Sequence, residues 1–177
     1  MKPPVLIVPG WGDSGDAHWQ TLWEKANADF QRVVQRDWLY PICAEWAQTL
    51  AAGIRAAGGP VVLVAHSLGC LAIAHCARDD ASLPIHGALL VAPPDVERPD
   101  FPPVLEGFAP IPMRPLPFPS ILVASRNDTF TDFTRAAELA KAWGSRLVDA
   151  GASGHLNRDS GFGPWPLGET LLAELRG

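Results

Sequence analysis

The sequence contains few cysteines, no cluster of like charges and no long hydrophobic run. Its three cysteines are an odd number in a chain of 177 residues, which argues against a disulfide framework and favours a reducing, cytoplasmic compartment. Two of them, Cys70 and Cys76, flank His75, but a separation of six residues along a helix puts the two sulfurs on different faces. No metal site is therefore expected.

Charge and hydropathy exclude two further classes of partner. The 14 basic and 19 acidic residues give a net charge of −5 without a block of like charges, so no electrostatic footprint for nucleic acid is present. No apolar run approaches the ~20 residues that a membrane-spanning helix needs. We expect neither a nucleic-acid partner nor a membrane anchor, and no signal peptide is recognised at the start of the sequence.

The composition is that of a folded chain with ample material for a core. Hydrophobic residues make up 47% of the sequence, and a chain near this length buries roughly 70% of the surface that its unfolded form exposes. We therefore expect one domain over residues 1–177. Short β-branched runs alternate with longer helical patterns, which is typical of βαβ units around a parallel sheet.

The pattern predicts an α/β fold of three layers, with about six strands, all parallel, and helices on both faces of the sheet. The predicted strands cover residues 5–8, 32–36, 61–65, 87–91, 121–124 and 146–148. The predicted helices cover residues 17–26, 42–57, 68–78, 131–143 and 167–175. Ten of the 27 residues from Pro93 to Pro119 are proline, a density that excludes regular helix or interior strand and predicts a surface excursion.

The segment from Val64 to Cys70 carries the most informative motif, because a buried strand meets a buried helix there with Ser67 at the turn. A nucleophile elbow has this form: a sharp turn lifts the serine Oγ above the sheet and requires small residues two positions before and after it. Gly69 meets the second requirement, and Ala65 stands where the usual first glycine would be. The alternative is an ordinary connection in which Ser67 caps the helix.

An acid and a histidine follow the elbow in the order that a serine hydrolase needs. Asp128 comes after the second strand beyond the elbow, and His155 comes after the third. Because parallel strands end at one edge of a sheet, we expect Ser67, Asp128 and His155 to form a nucleophile–acid–base triad there. Asp132 and Asp149 are the substitutes for the acid. A turn or capping role for Asp128 and no special role for His155 are the alternatives.

The same reasoning supplies candidates for the rest of the site. The backbone N–H groups of Leu68, directly after the serine, and of Trp11, after the first strand, are the predicted oxyanion donors. His18 is a candidate pocket residue, with capping of the first helix as its alternative role, and His66 receives no separate role beyond the elbow turn. Six aromatic side chains are candidates for an apolar wall, with core packing as the alternative: Trp11, Phe101, Phe108, Phe118, Phe162 and Trp165.

Several segments carry a resemblance that spans nearly the whole chain. They are PGWG at 9–12, HW at 18–19, AHSLG at 65–69, SRND at 125–128, GHLN at 154–157 and SGFGPW at 160–165. In them the chain resembles the α/β-hydrolase superfamily, and within it the small serine hydrolases of the YdeN type, which also include retinoblastoma-binding protein 9. The resemblance implies a reduced hydrolase fold without a large lid domain, with Ser67, Asp128 and His155 as the triad. The family usually has glycine where this chain has Ala65.

The predicted function is hydrolysis of a small ester-like molecule through an acyl-serine intermediate and without a cofactor, and a thioester or an amide is the alternative substrate bond. Two other functions stay open. The first is dinucleotide binding, because Gly10, Gly12 and Gly15 form G-x-G-x-x-G after a strand, with Asp37 located 22 residues beyond the last glycine. The bulky Trp11 argues against close approach of a pyrophosphate there. The second is a catalytically silent protein-interaction module on a hydrolase scaffold, whose protein partner the sequence does not identify.

Overall fold

The computed structural model describes residues 2–177, which form six strands, five α-helices and one short 3₁₀ helix. The strands are β1 (Val5–Val8), β2 (Phe30–Arg32), β3 (Val61–His66), β4 (Ile85–Val91), β5 (Ser120–Ala124) and β6 (Arg146–Asp149). The α-helices are α1 (Trp19–Ala26), α2 (Cys43–Ala56), α3 (Leu68–Asp79), α4 (Phe133–Trp143) and α5 (Pro166–Arg176). All strands pair in parallel in the order β2-β1-β3-β4-β5-β6, which confirms the predicted parallel sheet.

Two separate hydrophobic clusters cover the two faces of the sheet. Neighbouring residues of β3 alternate between them: Leu63 belongs to the cluster under α2, α3 and α4, whereas Val62 and Val64 belong to the cluster under α1 and α5. A strand that is buried on both faces reads as a continuous apolar run, and this explains the sequence of β3. The three-layer α/β/α architecture is confirmed, and β3 with α3 lies at its centre.

The three thiols are buried small side chains of the core. All are free, and burial raises the pKa of Cys43 and of Cys76 to about 12. They are therefore uncharged and poor nucleophiles at neutral pH. Among residues 2–177, no group of three or more His, Cys, Asp or Glu side chains is placed to hold a metal ion. No helix within the same residues has the length and apolar character needed to cross a bilayer.

The second strand is the element whose predicted position is wrong. It was expected over 32–36, but the strand is β2, and Val34 beyond it is 66% exposed. The buried side chain of β2 is Phe30, which packs in the cluster under α1 and α5. The adjacent valines at 33 and 34 led to the wrong prediction. β-branched residues are common in strands, and the sequence does not tell whether a valine is buried or exposed.

The proline-rich excursion has no helix or regular strand, as predicted, but part of it lies in the core. Phe108 is fully buried and contacts the rings of Trp46 and His75 edge-on. Its backbone carbonyl also accepts a hydrogen bond of 3.0 Å from the His75 imidazole. The excursion therefore covers one face of the sheet, and its first part, with Pro94, Phe101 and Leu105, lies above Ser67 at the edge where the parallel strands end.

Candidate active site

The connection between β3 and α3 is a strained turn centred on Ser67. Its φ and ψ of 53° and −124° lie outside the regions that residues with a side chain ordinarily occupy. A Cβ on Gly69 would lie 2.3 Å from the carbonyl oxygen of Val8, so only glycine allows α3 to start this close to β1. Such a turn exposes the serine Oγ beyond the strand end, as a nucleophile elbow requires.

Hydrogen bonds join Ser67, His155 and Asp128 in a row. The Ser67 Oγ lies 2.9 Å from His155 Nε2, and His155 Nδ1 lies 2.9 and 3.0 Å from the two carboxylate oxygens of Asp128. Because a carboxylate only accepts, Nδ1 carries the proton and Nε2 is free to accept from the serine hydroxyl. The side chains of His155 and Asp128 are 9% and 0% exposed. The structure thus brings together the three residues that the sequence selected.

The substitute acids lie elsewhere. Asp132 is the N-cap residue of α4, and Asp149 at the end of β6 pairs with Arg126. Neither is a hydrogen-bond partner of His155 within the part of the chain that the structure describes.

The loop after β5, which carries Asp128, is joined to the loop after β6, which carries His155, by side chains that were not predicted from the sequence. The Ser125 hydroxyl accepts a hydrogen bond of 2.9 Å from the Ser153 N–H, and the Asn127 side-chain oxygen accepts one of 2.7 Å from the Gly154 N–H. These contacts fix the loops after β5 and β6 against each other. In the sequence, Ser125 and Asn127 stand out only as members of the motif SRND. Serine and asparagine are also common in ordinary turns, so their role could not be predicted from their type.

The loop after β1 lies directly against the elbow. A Cβ on Gly10 would be 2.8 Å from the Ser67 Cβ and 3.2 Å from the Leu68 backbone nitrogen. Trp11 and Leu68, the two predicted oxyanion donors, both line the cavity above Ser67. The Trp11 indole N–H donates to the Leu39 carbonyl at 3.0 Å, which holds this loop at its outer end.

A buried polar network holds the same loop at its inner end. The Gln20 side chain, fully buried, donates to the carbonyl oxygens of Val64 at 3.0 Å and Val8 at 3.3 Å, and accepts from the Ser14 hydroxyl at 2.6 Å. Arg32 donates to Asp13 and to the Ser14 carbonyl from the other side. No sequence signal distinguishes Gln20 from a solvent-facing polar residue of an amphipathic helix.

These contacts argue against dinucleotide binding at the G-x-G-x-x-G segment. The N-terminus of α1 is capped by His18, whose Nδ1 accepts the Gln20 N–H at 3.2 Å. The carboxylate of Asp37 accepts the N–H groups of Leu39 and Tyr40 in its own turn. A pyrophosphate needs the free helix end, and a ribose needs the free carboxylate.

A cavity of about 320 Å³ opens above Ser67. Its apolar lining comes from Trp11, Leu68, Pro94, Phe101, Leu105 and Phe130. Its polar lining includes Asp13, His18, Asn157, Arg158 and Asp159. The Phe130 ring packs against the His155 imidazole with centroids 4.4 Å apart. The cavity thus joins the triad to an apolar wall that the excursion and the Asp128 loop build together.

Four of the predicted wall aromatics are not in this cavity. Trp165 is buried against Trp19, with ring centroids 5.0 Å apart, and Phe162 packs edge-on against Trp165. Phe108 and Phe118 belong to the core on the opposite face of the sheet. The expectation that Trp165 and Phe162 form the pocket is therefore wrong, because the segment after His155 turns down into the α1–α5 layer. Trp11, Phe101 and His18 do line the cavity.

Burial keeps two further histidines of the site neutral. It lowers the pKa of His18 to about 4 and the pKa of His66 well below its usual value, with smaller contributions from Arg32 at His18 and from the neighbouring histidines at both. The rings of His18, His66 and His155 follow one another with centroid separations of 4.8 Å. Protonation of His18 and of His66 is thus disfavoured.

This burial predicts a loss of stability in mild acid. An unfolded His18 binds a proton near pH 6.5, whereas the folded residue does so only near pH 4, so the free energy of unfolding falls as pH falls between these values. A shift of this size corresponds to about 3 kcal/mol at pH 4. We expect His18→Asn, which keeps the helix cap, to remove this part of the pH dependence. Urea unfolding at pH 7 and 4.5 measures the free energy of unfolding of both proteins. If the difference between wild type and variant is the same at the two pH values, the prediction is wrong.

Similarity to known proteins extends over nearly the whole chain. A family model described as serine hydrolase matches residues 5–174. The chain is similar to a YdeN-like hydrolase from Pectobacterium atrosepticum, with 36% identity and a TM-score of 0.87 over 99% of this chain and 91% of that one. It also resembles the ydeN gene product of B. subtilis, with 22% identity and a TM-score of 0.76 over 98% of each chain.

A more distant likeness is to a thermophilic esterase from Thermogutta terrifontis, with 17% identity and a TM-score of 0.68 over 99% of this chain and 91% of that one. At this identity, as with the B. subtilis protein, the likeness shows the fold alone. The sequence matches no functionally curated protein.

Proposed function

The chain belongs to the serine hydrolase family, with the α/β-hydrolase fold of the YdeN type, and from this premise we propose that it hydrolyses small ester-like substrates through an acyl-serine intermediate on Ser67. The observation that carries the proposal is the hydrogen-bonded row from the Ser67 Oγ through the His155 imidazole to the buried Asp128 carboxylate. An imidazole held in this tautomer can remove the serine proton, and the carboxylate stabilises the resulting cation.

In the first half of the reaction, the Ser67 Oγ attacks the substrate carbonyl carbon while its proton passes to His155 Nε2. The tetrahedral intermediate then collapses: its bond to the leaving oxygen breaks, and that oxygen takes the proton from Nε2. The acyl group remains on Ser67. In the second half, water attacks the acyl carbon and gives its proton to Nε2, which returns it to the Ser67 Oγ as the acid leaves.

We assign the oxyanion of both intermediates to the backbone N–H groups of Leu68 and Trp11. The Leu68 N–H belongs to the first residue of α3, where the helix dipole also favours negative charge. The loop that carries Trp11 contacts the elbow closely at Gly10. Loss of one such donor typically costs about 3 to 4 kcal/mol of transition-state stabilisation.

The cavity supports a small substrate with an apolar group. A volume of about 320 Å³ is at the lower end of the range of small-molecule sites. The aromatic rings of Phe101 and Phe130 suit an alkyl or aryl group of the ester, and the fold shared with an esterase is consistent with oxygen esters as the first class to test. Three unpaired thiols fit a reducing, cytoplasmic location, and the proposed reaction needs no cofactor.

Labelling with a fluorophosphonate probe tests the proposal directly. We expect rapid modification of Ser67, identified by mass spectrometry, and its loss in Ser67→Ala and His155→Ala. Ser82→Ala, at an exposed serine, is the matched control and should label as the wild type does. A panel of p-nitrophenyl esters, thioesters and anilides then defines the preferred bond. A folded protein that fails to label, or one whose labelling does not depend on His155, would refute the proposal and favour the protein-interaction alternative.

A further inference from the structure

The backbone that carries His155 is held by two buried side-chain donors from distant parts of the chain. The His66 Nε2 lies 2.8 Å from the His155 carbonyl oxygen, and the Trp19 Nε1 lies 2.9 Å from the carbonyl oxygen of the next residue, Leu156. His66, Trp19 and Leu156 are all buried. Two consecutive carbonyl groups therefore point into the protein and are each satisfied by one ring N–H.

The local backbone explains why these carbonyls need such partners. Leu156 has a φ of +50°, a left-handed conformation that is strained for a residue with a branched side chain. The conformation turns the carbonyl groups away from solvent, where each would lack a hydrogen bond without the ring donors. Strained residues persist only where surrounding contacts over-determine them. The two ring N–H groups supply such contacts.

His66 lies next to both the proposed base and the proposed nucleophile. It directly precedes Ser67, and its ring packs against the His155 ring with centroids 4.8 Å apart. Because a carbonyl only accepts, the His66 Nε2 carries the proton, and this nitrogen cannot take a proton from the substrate or from Ser67. One residue thus adjoins Ser67 in sequence and contacts the backbone of His155, 89 residues away in sequence.

We propose that His66 is a positioning residue, assisted by Trp19: its Nε2–H holds the His155 carbonyl so that the His155 imidazole stays in line with the Ser67 Oγ. The inference rests on the proposed function for its effect on rate. It separates the role of His66 from simple core filling, because a side chain of equal size without the N–H would pack but would not hold the carbonyl.

Paired substitutions test this role. His66→Met keeps the approximate volume and removes the donor, whereas His66→Gln places an amide N–H near the position of Nε2. Since displacement of a reacting group by about 1 Å can cost about 100-fold in rate, we expect His66→Met to lower kcat by about 100-fold with KM nearly unchanged. His66→Gln should recover most of this loss. His86→Met, at an exposed histidine, is the matched control and should change nothing.

Two further measurements extend the test, and the second of them does not depend on the proposed reaction. Trp19→Phe removes the donor to Leu156 but also part of the ring that packs against Trp23 and Trp165, so urea unfolding must show that the variant is folded. We expect it to lower kcat by about 10-fold, a smaller loss because it acts one residue away from the base. NMR of ¹⁵N-labelled imidazoles should show His155 in a single Nδ1–H tautomer in the wild type and His66→Gln, and in a mixture in His66→Met.

The outcomes separate the two hypotheses. If the wild type neither labels nor hydrolyses, the proposed function fails, and the NMR tautomers alone decide the role of His66. If the wild type is active but His66→Met retains its kcat and its His155 tautomer, or if His66→Gln and His66→Met lose kcat equally, the positioning role is refuted.

Discussion

Replacement of Asp128 by asparagine is expected to lower kcat/KM by about 10⁴-fold, the loss typical of a triad whose histidine adopts the wrong tautomer, and to leave the fold intact. Both carboxylate oxygens face the His155 Nδ1–H, and Oδ1 also accepts the Phe130 N–H at 2.9 Å. An amide keeps the shape but presents an NH₂ group. The imidazole can accept a hydrogen bond from this NH₂ group only if its proton moves from Nδ1 to Nε2. A protonated Nε2 cannot accept the proton of the Ser67 hydroxyl.

Steady-state kinetics on the best ester of the panel measures this effect, and circular dichroism with urea unfolding checks the fold. Asp132→Asn is the matched control, because Asp132 makes no side-chain cap hydrogen bond to α4 and is not a partner of His155 within residues 2–177. It should retain wild-type kcat/KM. Comparable losses in the two variants, or an active Asp128→Asn protein, would place the catalytic acid elsewhere.

The second large effect is expected from Gly69→Ala, which should destabilise the protein by about 3 kcal/mol or more, since overpacking of this kind commonly costs 1–3 kcal/mol even where side chains can move. The new Cβ would lie 2.3 Å from the Val8 carbonyl oxygen and 2.7 Å from that of Pro9. Both atoms are backbone, so relief requires α3 to move away from β1. That movement would also carry the Leu68 N–H away from its proposed oxyanion.

Gly53→Ala provides the matched control for this substitution. Gly53 lies inside α2, and its Cβ would meet only side-chain carbons of Val33 and Leu6, at 3.7 and 3.9 Å. Alanine at an interior helical position is favoured over glycine by about 1 kcal/mol, so this variant should be more stable than the wild type. If the close approach at Gly69 is real, urea unfolding should show a lower free energy of unfolding for Gly69→Ala and a higher one for Gly53→Ala than for the wild type. Equal changes in the two variants would contradict it.

The meeting of Ser67, Asp128 and His155 could be expected from the sequence because of one geometric rule. Buried parallel strands give continuous apolar runs, which are easy to recognise, and their ends all lie at one edge of the sheet. Residues that immediately follow such runs are therefore neighbours in space. The prediction required only the order of the strands along the chain, and it did not need the details of their register.

Features that depend on packing between layers could not be obtained in this way. Trp165 follows the His155 loop closely in sequence, yet it packs under α1, because only the three-dimensional path of the loop decides which face an aromatic ring covers. Gln20 and His66 carry no local pattern that separates a buried donor from an exposed one. Their roles depend on carbonyl groups more than 40 residues away in sequence.

The exposed position of β6 has a consequence for how the molecule responds to heat. Within residues 2–177 this edge strand pairs only with β5. Its Leu147 is 36% exposed and its Val148 is half-buried, whereas every residue of β3 is buried. Local opening of such an edge requires less free energy than unfolding of the whole sheet. Because β6 leads into the loop of His155, we expect opening of this edge to move His155 away from Ser67 while the central strands remain ordered. If the proposed activity holds, we expect its loss on heating to begin at the sheet edge, and we expect contacts added along β6 to delay that loss without any change at Ser67.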